Sequence, residues 1–146
     1  MSLVLPYDDL IMEHIRHARN FRAPEAAVAV RGLNPLCGDE LTVYVRVEGG
    51  VIVDAAFQCE CCGISMASAS ILTERVARVP VAAASAMLDE FISGLAAGAL
   101  PAGAAAGPLA LLEAARRYPV RRRCALLPWV VLKNALEGRS DPVYVR

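Results

Sequence analysis

Leu41, Val43, Val45 and Val47 alternate with Thr42, Tyr44, Arg46 and Glu48, the two-residue period of a strand with one buried face. Gly49-Gly50 offers a tight turn, and residues 51–57 return as a second strand, so a hairpin is predicted. Upstream the period lengthens. Leu10, Ile11, Ile15 and Ala18 share one helical face while Glu13, Arg16 and Arg19 point away. This predicts a helix capped by Asp8 or Asp9, running to about Arg19 and closed by Asn20 and Pro24. A short extended segment is expected at 27–31. Beyond the hairpin, Ile64, Ala67, Ile71 and Val76 predict a helix whose first turn begins at Cys62. Further helices are expected over 82–95, 109–117 and 128–136, the last opened by Pro128 and followed by Gly138. Helix, strands, then helices describe an α+β fold, a small antiparallel sheet of about three strands with helices packed on one face.

Composition narrows the partners. With 146 residues, 56% of them hydrophobic and 21% charged, and a formal net charge of +0, residues 1–146 are expected to form a single domain with neither disorder nor a bulk polyanion as partner. Residues 91–112 carry no charge and are long enough to span a bilayer. Gly94, Gly98, Gly103, Gly107, Pro101 and Pro108 interrupt them, however, so a helix end, an alanine-rich loop and a helix start are expected instead. The opening MSLVLPYDDL lacks the pattern of a secretory leader, which predicts a reducing, cytoplasmic setting. There, an odd set of five cysteines suggests ligands or reactive thiols.

Three of those cysteines fall in one stretch, Gln58-Cys59-Glu60-Cys61-Cys62-Gly63-Ile64-Ser65. A disulfide among such near neighbours is expected to be strained, so metal or sulfur chemistry is the better starting point. Cys62 stands where the second strand gives way to a helix, and the positive end of the helix dipole favours its thiolate. Cys37-Gly38-Asp39 precedes the first strand, with glycine allowing the bend that brings thiolate and carboxylate together. Cys124 follows Arg121-Arg122-Arg123, whose charges are expected to favour its ionised form, and lies in the turn leading to Pro128. The hairpin brings Cys62 back beside Cys37.

Taken together, NPLCGDELTVYVRV, FQCECCGISMASAS and RRRCALLPWVVLKNAL resemble the U-type iron-sulfur cluster assembly family, which includes IscU, SufU and the N-terminal part of NifU. The opening IMEHIRHARNF is also similar to that family's first helix. The resemblance implies that Cys37, Asp39, Cys62 and Cys124 surround one metal or cluster site. It is greatest to the SufU-like branch: Arg123 stands where Isc-type proteins have histidine, and the interval from Cys62 to Cys124 is long enough for the extra helical region of SufU-like proteins. The departure lies at Cys59 and Cys61, where SufU-like proteins usually have glycines. If those glycines serve a positive φ, the loop has changed shape as well as chemistry.

The expectation is therefore a scaffold without turnover of its own. It would hold an iron-sulfur cluster through Cys37, Cys62 and Cys124, with Asp39 and Cys59 or Cys61 completing the ligand set. Zinc is the alternative, since three thiolates and one carboxylate suit its tetrahedral preference. The resemblance then implies a sulfur acceptor that activates a desulfurase, with Cys37 as the persulfide acceptor. In either case it implies a cysteine desulfurase of the SufS type and recipient apo iron-sulfur proteins as partners, with neither nucleic acid nor membrane; a homo-oligomer fits as well. His14 and His17, with Glu13, have a spacing that can bind metal but also suit the exposed face of an amphipathic helix. Arg116, Arg117, Arg121, Arg122 and Arg123 suggest docking to an acidic protein patch. Trp129 is read as core.

Overall fold

A computed structural model describes residues 6–145 of the chain. The element order is α1 (Pro6–Arg16), β1 (Val28–Asn34), β2 (Asp39–Glu48), β3 (Val51–Glu60), α2 (Gly63–Val76), α3 (Val81–Ala97), α4 (Ala106–Arg117), α5 (Arg122–Leu136) and β4 (Val143–Tyr144), with a single 3-10 turn at Pro119–Arg121 leading into α5. Residues 1–5 of the stretch read for a leader lie outside the described residues.

The hairpin forms because its pattern and its turn agree. Gly49 and Gly50 have φ of +58° and +75°, the pair of positive values that a two-residue turn matched to strand twist requires. Val43 then pairs with Phe57 and Leu41 with Cys59. Val43, Leu41 and Phe57 are buried, whereas Glu40 and Arg46 on the opposite face meet solvent. The sheet order is β3-β2-β1-β4, antiparallel except for β4, which lies parallel to β1. This fourth strand joins the three or so expected; it has only two residues, too few to show a period.

α2 and α5 cover the buried face of the sheet, with α1 and α4 against α2 and α3 against α5. α2 is enclosed on nearly all sides, and its serines find partners. Ser68 Oγ donates to the Ala125 carbonyl at 2.6 Å and accepts from Trp129 Nε1 at 2.9 Å. The Trp129 ring stacks on Phe91 with centroids 3.9 Å apart, deep in the core as expected. The charge-free stretch divides between α3 and α4, and among the described residues no helix is long and apolar enough to cross a membrane.

Two boundaries differ from expectation. α1 begins at Pro6, so Asp8 and Asp9 lie in its first turn, where their charge still suits the helix dipole. α5 begins six residues before Pro128. A proline deprives the carbonyl four residues earlier of its helical donor, and here that carbonyl belongs to Cys124. The Ser65 hydroxyl lies 3.1 Å from it, so a neighbouring helix supplies the donor and α5 continues through the proline.

Candidate metal and sulfur site

The site gathers at one end of the sheet from three separate pieces of chain. Between β1 and β2 the backbone folds back on Asn34, whose carbonyl accepts from the amides of Cys37 and Gly38 at 3.1 and 2.9 Å. Gly38 has φ +72°, and a β-carbon there would meet nothing within 4 Å. Conformation rather than crowding therefore calls for glycine. The turn leaves Cys37 exposed and Asp39 buried at the first position of β2.

The second piece is the junction of β3 and α2. Cys62 caps α2 in an extended conformation, and its amide donates to Asp39 Oδ1 at 2.9 Å. Ser65 Oγ lies 3.0 Å from Asp39 Oδ2, so its one proton is shared between that carboxylate and the Cys124 carbonyl. Asp39 thus serves as the acceptor for this helix N-terminus, from another element.

The third piece is the first turn of α5. Cys124 is fully buried, within the helix rather than in a turn before it. Its Sγ lies 3.7 Å from Cys37 Sγ and 3.8 Å from Asn34 Nδ2. Ligand atoms of Cys37, Asp39 and Cys124 all lie within 4.8 Å of one another. Cys62 stands beside this group, its Sγ 3.7 Å from Ser65 Oγ. The Cys124 S–H holds the Cys62 thiol well below its ordinary value, at about 5, with further help from the amide and hydroxyl of Ser65 and against the cost of burial. Cys124 moves the opposite way, because it donates that proton, is buried and faces Asp39. The expectation that neighbouring arginines ionise Cys124 is therefore reversed in the metal-free site. Arg121 hydrogen-bonds to Cys124, with Cys62 and Cys37 adding attraction, and its own pKa is raised.

The donor chemistry fits a metal. Two sulfurs and a carboxylate close to one point, with the Cys62 thiol nearby but outside that group, are donors that suit zinc or iron bound to sulfur. The Asn34 side-chain oxygen is buried and has no hydrogen-bond partner, leaving an acceptor free beside that point. Asn34 and Ser65 were not singled out from sequence. Asn34 stands in the Asn-Pro pair before Cys37, and Ser65 three residues after Cys62, the position facing a helix cap.

Cys59 and Cys61 are bonded to each other, with Cα atoms 5.5 Å apart, inside the range a disulfide spans. The bridge expected to be disfavoured is present because both residues fall on the same side of an extended chain end. In this state the two sulfurs supply no thiolate. Outside glycine, the described residues with positive φ are Asn20, Ala26 and Arg78, so neither cysteine occupies a conformation reserved for glycine. His14 turns inward, corrected from an exposed reading. It is 3% exposed and its Nδ1 lies 2.7 Å from Ser70 Oγ, which also accepts the Arg19 amide at 2.8 Å; His17 is exposed.

Comparison with known proteins shows the family. Residues 6–125 match the family described as NifU-like N terminal domain. The chain is 33% identical over 144 residues to the iron-sulfur cluster assembly scaffold protein IscU of Thermotoga maritima, covering 97% of this chain and 100% of that one. It is 29% identical over 130 residues to the zinc-dependent sulfurtransferase SufU of Bacillus subtilis, covering 89% and 88%. Among solved structures, the SUF-system protein FiSufU of Fervidobacterium islandicum AW-1 superposes with a TM-score of 0.80 at 28% identity, over 88% of this chain and 94% of that one. With its fold and the match over most of its length in agreement, the chain belongs to the NifU-like N-terminal domain family.

Proposed function

We propose that this protein serves iron-sulfur cluster assembly as a scaffold, holding a metal or nascent cluster at Cys37, Asp39, Cys62 and Cys124 and receiving sulfur from a cysteine desulfurase. The convergence of Cys37, Asp39 and Cys124 from two different elements and a loop carries this reading. The likeness to an IscU scaffold and to a SufU sulfurtransferase supports it. No turnover is assigned to the chain alone. Cys37 is the persulfide acceptor in this reading, since it is the exposed thiol of the set and rides on a turn with a glycine beside it. The bound metal would fix the thiolates and hold their charge, and Arg121 would orient the site from outside.

One observation favours zinc as the resident ion. With Cys59 and Cys61 joined to each other, three thiols and one carboxylate remain, the number that tetrahedral zinc takes. The rim suits a protein partner: Leu36 and Val120 are 68% and 75% exposed beside Cys37 and Arg121, and Arg122 and Arg123 are exposed next to them. A desulfurase with an acidic edge, and then a recipient apo protein, would dock there in a reducing cytoplasm.

Metal and acid-labile sulfide content of anaerobically purified protein, with desulfurase activity measured with and without it, tests the proposal. Bound zinc or iron together with activation that is lost in Cys37→Ser supports it. Protein without metal in which no desulfurase responds would overturn it.

A further inference from the structure

The end of β3 carries more sulfur than a four-donor metal site uses. Cys59 and Cys61 form their own pair and stand outside the group made by Cys37, Asp39 and Cys124. Their position is nevertheless fixed beside that group. Glu40 pairs with Glu60, the last residue of β3, so Asp39 and Cys61 are the residues next to this terminal rung on their two chain segments. The next residue, Cys62, is tied to Asp39 through its amide. Cys59 packs partly buried against the core, and Cys61 is half-buried.

A structural staple is a poor account of this pair. A bridge across one intervening residue removes little freedom from the unfolded chain, and Glu60 between them is already held in the ladder. The chemistry of a dithiol next to a sulfur-receiving site gives a better one. Sulfur arrives in such a relay as a sulfane atom at the oxidation level of elemental sulfur, whereas a cluster incorporates sulfide. Two electrons must be supplied.

We propose that Cys59 and Cys61, in the dithiol form, are an internal reductant that converts sulfane sulfur on Cys37 to sulfide. The inference rests on reading Cys37 as the acceptor. The Cys61 thiolate attacks the outer sulfur of the Cys37 persulfide; the new S–S bond forms on Cys61 and the Cys37 thiolate leaves with the electron pair. The Cys59 thiolate then attacks Cys61 Sγ, closing the Cys59–Cys61 bridge and expelling hydrosulfide. The two thiols are oxidised by two electrons and the sulfane atom is reduced by two. One of their protons returns to Cys37 and the other leaves with the sulfide. The bridged state in the structure is the product of this step, and an external dithiol restores the starting state by exchange.

The test uses the full chain, reduced and freed of reductant without oxygen, mixed with inorganic tetrasulfide, trapped by alkylation and mapped by mass. Expected in the unaltered protein is loss of two hydrogens from the peptide holding Cys59 and Cys61, in step with sulfide release. In Cys59→Ser/Cys61→Ser the gain of one sulfur atom on Cys37 persists and sulfide release slows at least about tenfold. Cys61→Ser, which leaves the packed Cys59 in place, should behave as the double variant does. A lasting persulfide on Cys37 beside an intact dithiol in the unaltered protein overturns the proposal alone. So does bridge formation at an unchanged rate in Cys37→Ser. Absence of any persulfide on Cys37 in the double variant overturns the acceptor reading, and the reductant with it.

Discussion

The Cys62 amide donates to the Asp39 carboxylate at 2.9 Å, joining the start of α2 to the start of β2. One carboxylate is thus a candidate ligand and a helix cap at once, since its other oxygen lies against Ser65. In the metal-free protein Asp39→Ala leaves that amide without its acceptor and should cost about 1–3 kcal/mol of stability in urea unfolding. Asp39→Asn keeps an acceptor oxygen and should cost less. Equal losses would mean that charge, not the hydrogen bond, holds the junction.

The opposite pKa shifts of Cys62 and Cys124 predict an unequal pair of thiols. In reduced, metal-free protein, Cys62 should alkylate at a rate that falls to half its plateau only near pH 5, while Cys124 stays inert because its role as donor and burial both raise it. Cys124→Ala removes the donor and should move the Cys62 profile toward that of an ordinary thiol. A profile unmoved by this change would assign the effect to the Ser65 amide and the helix dipole instead.

Pro128 sets the position of Cys124 by what it omits. Pro128→Ala restores an N–H in register with the Cys124 carbonyl, which now faces Ser65. The helix should gain a bond and the Cys124 end should relax away from α2. We expect zinc affinity to fall by about 10–100-fold, the usual cost of disturbing the groups that orient a ligand, while thermal stability is unchanged or higher. Unchanged affinity in a competition titration with a chelator would show that Ser65 does not position the thiol.

His14 predicts a stability that depends on pH. Burial is the largest cause of its lowered pKa, with Arg19 acting in the same sense and Glu74 and Glu13 opposing. The unfolded chain therefore takes up the proton first. Stability contributed by the neutral ring is present above the unfolded value of about 6.5 and is lost as pH falls through it toward the lower folded value. Urea midpoints at pH 7 and pH 5 should differ more for the unaltered protein than for His14→Gln, and identical differences would count against this role.

The hairpin was legible because strict alternation and a Gly-Gly turn gave the same answer, and the helix after Cys62 because the period changes there. The start of α5 was not, since Pro128 reads as a helix opening and its accommodation depends on Ser65, a residue from another helix. His14 looked like a surface residue for the same reason: its partner is Ser70, which no local pattern associates with it. Cys37, Asp39 and Cys124 stood out by residue type and spacing, and their proximity is visible in the structure. The direction of proton sharing was not legible, because the arginines beside Cys124 in sequence are outweighed by Cys62 and by burial.

Cys37 and Asp39 stand where the hairpin begins in sequence, Cys62 just after it closes, and Cys124 in the last helix. During synthesis this gives the protein an order of events. A nascent chain that has not yet released α5 from the ribosome presents two thiols and a carboxylate but lacks the buried sulfur that closes the set. In the proposed site, metal capture at full strength would wait until the final helix docks on the sheet, so an ion bound there would also report that this helix is in place.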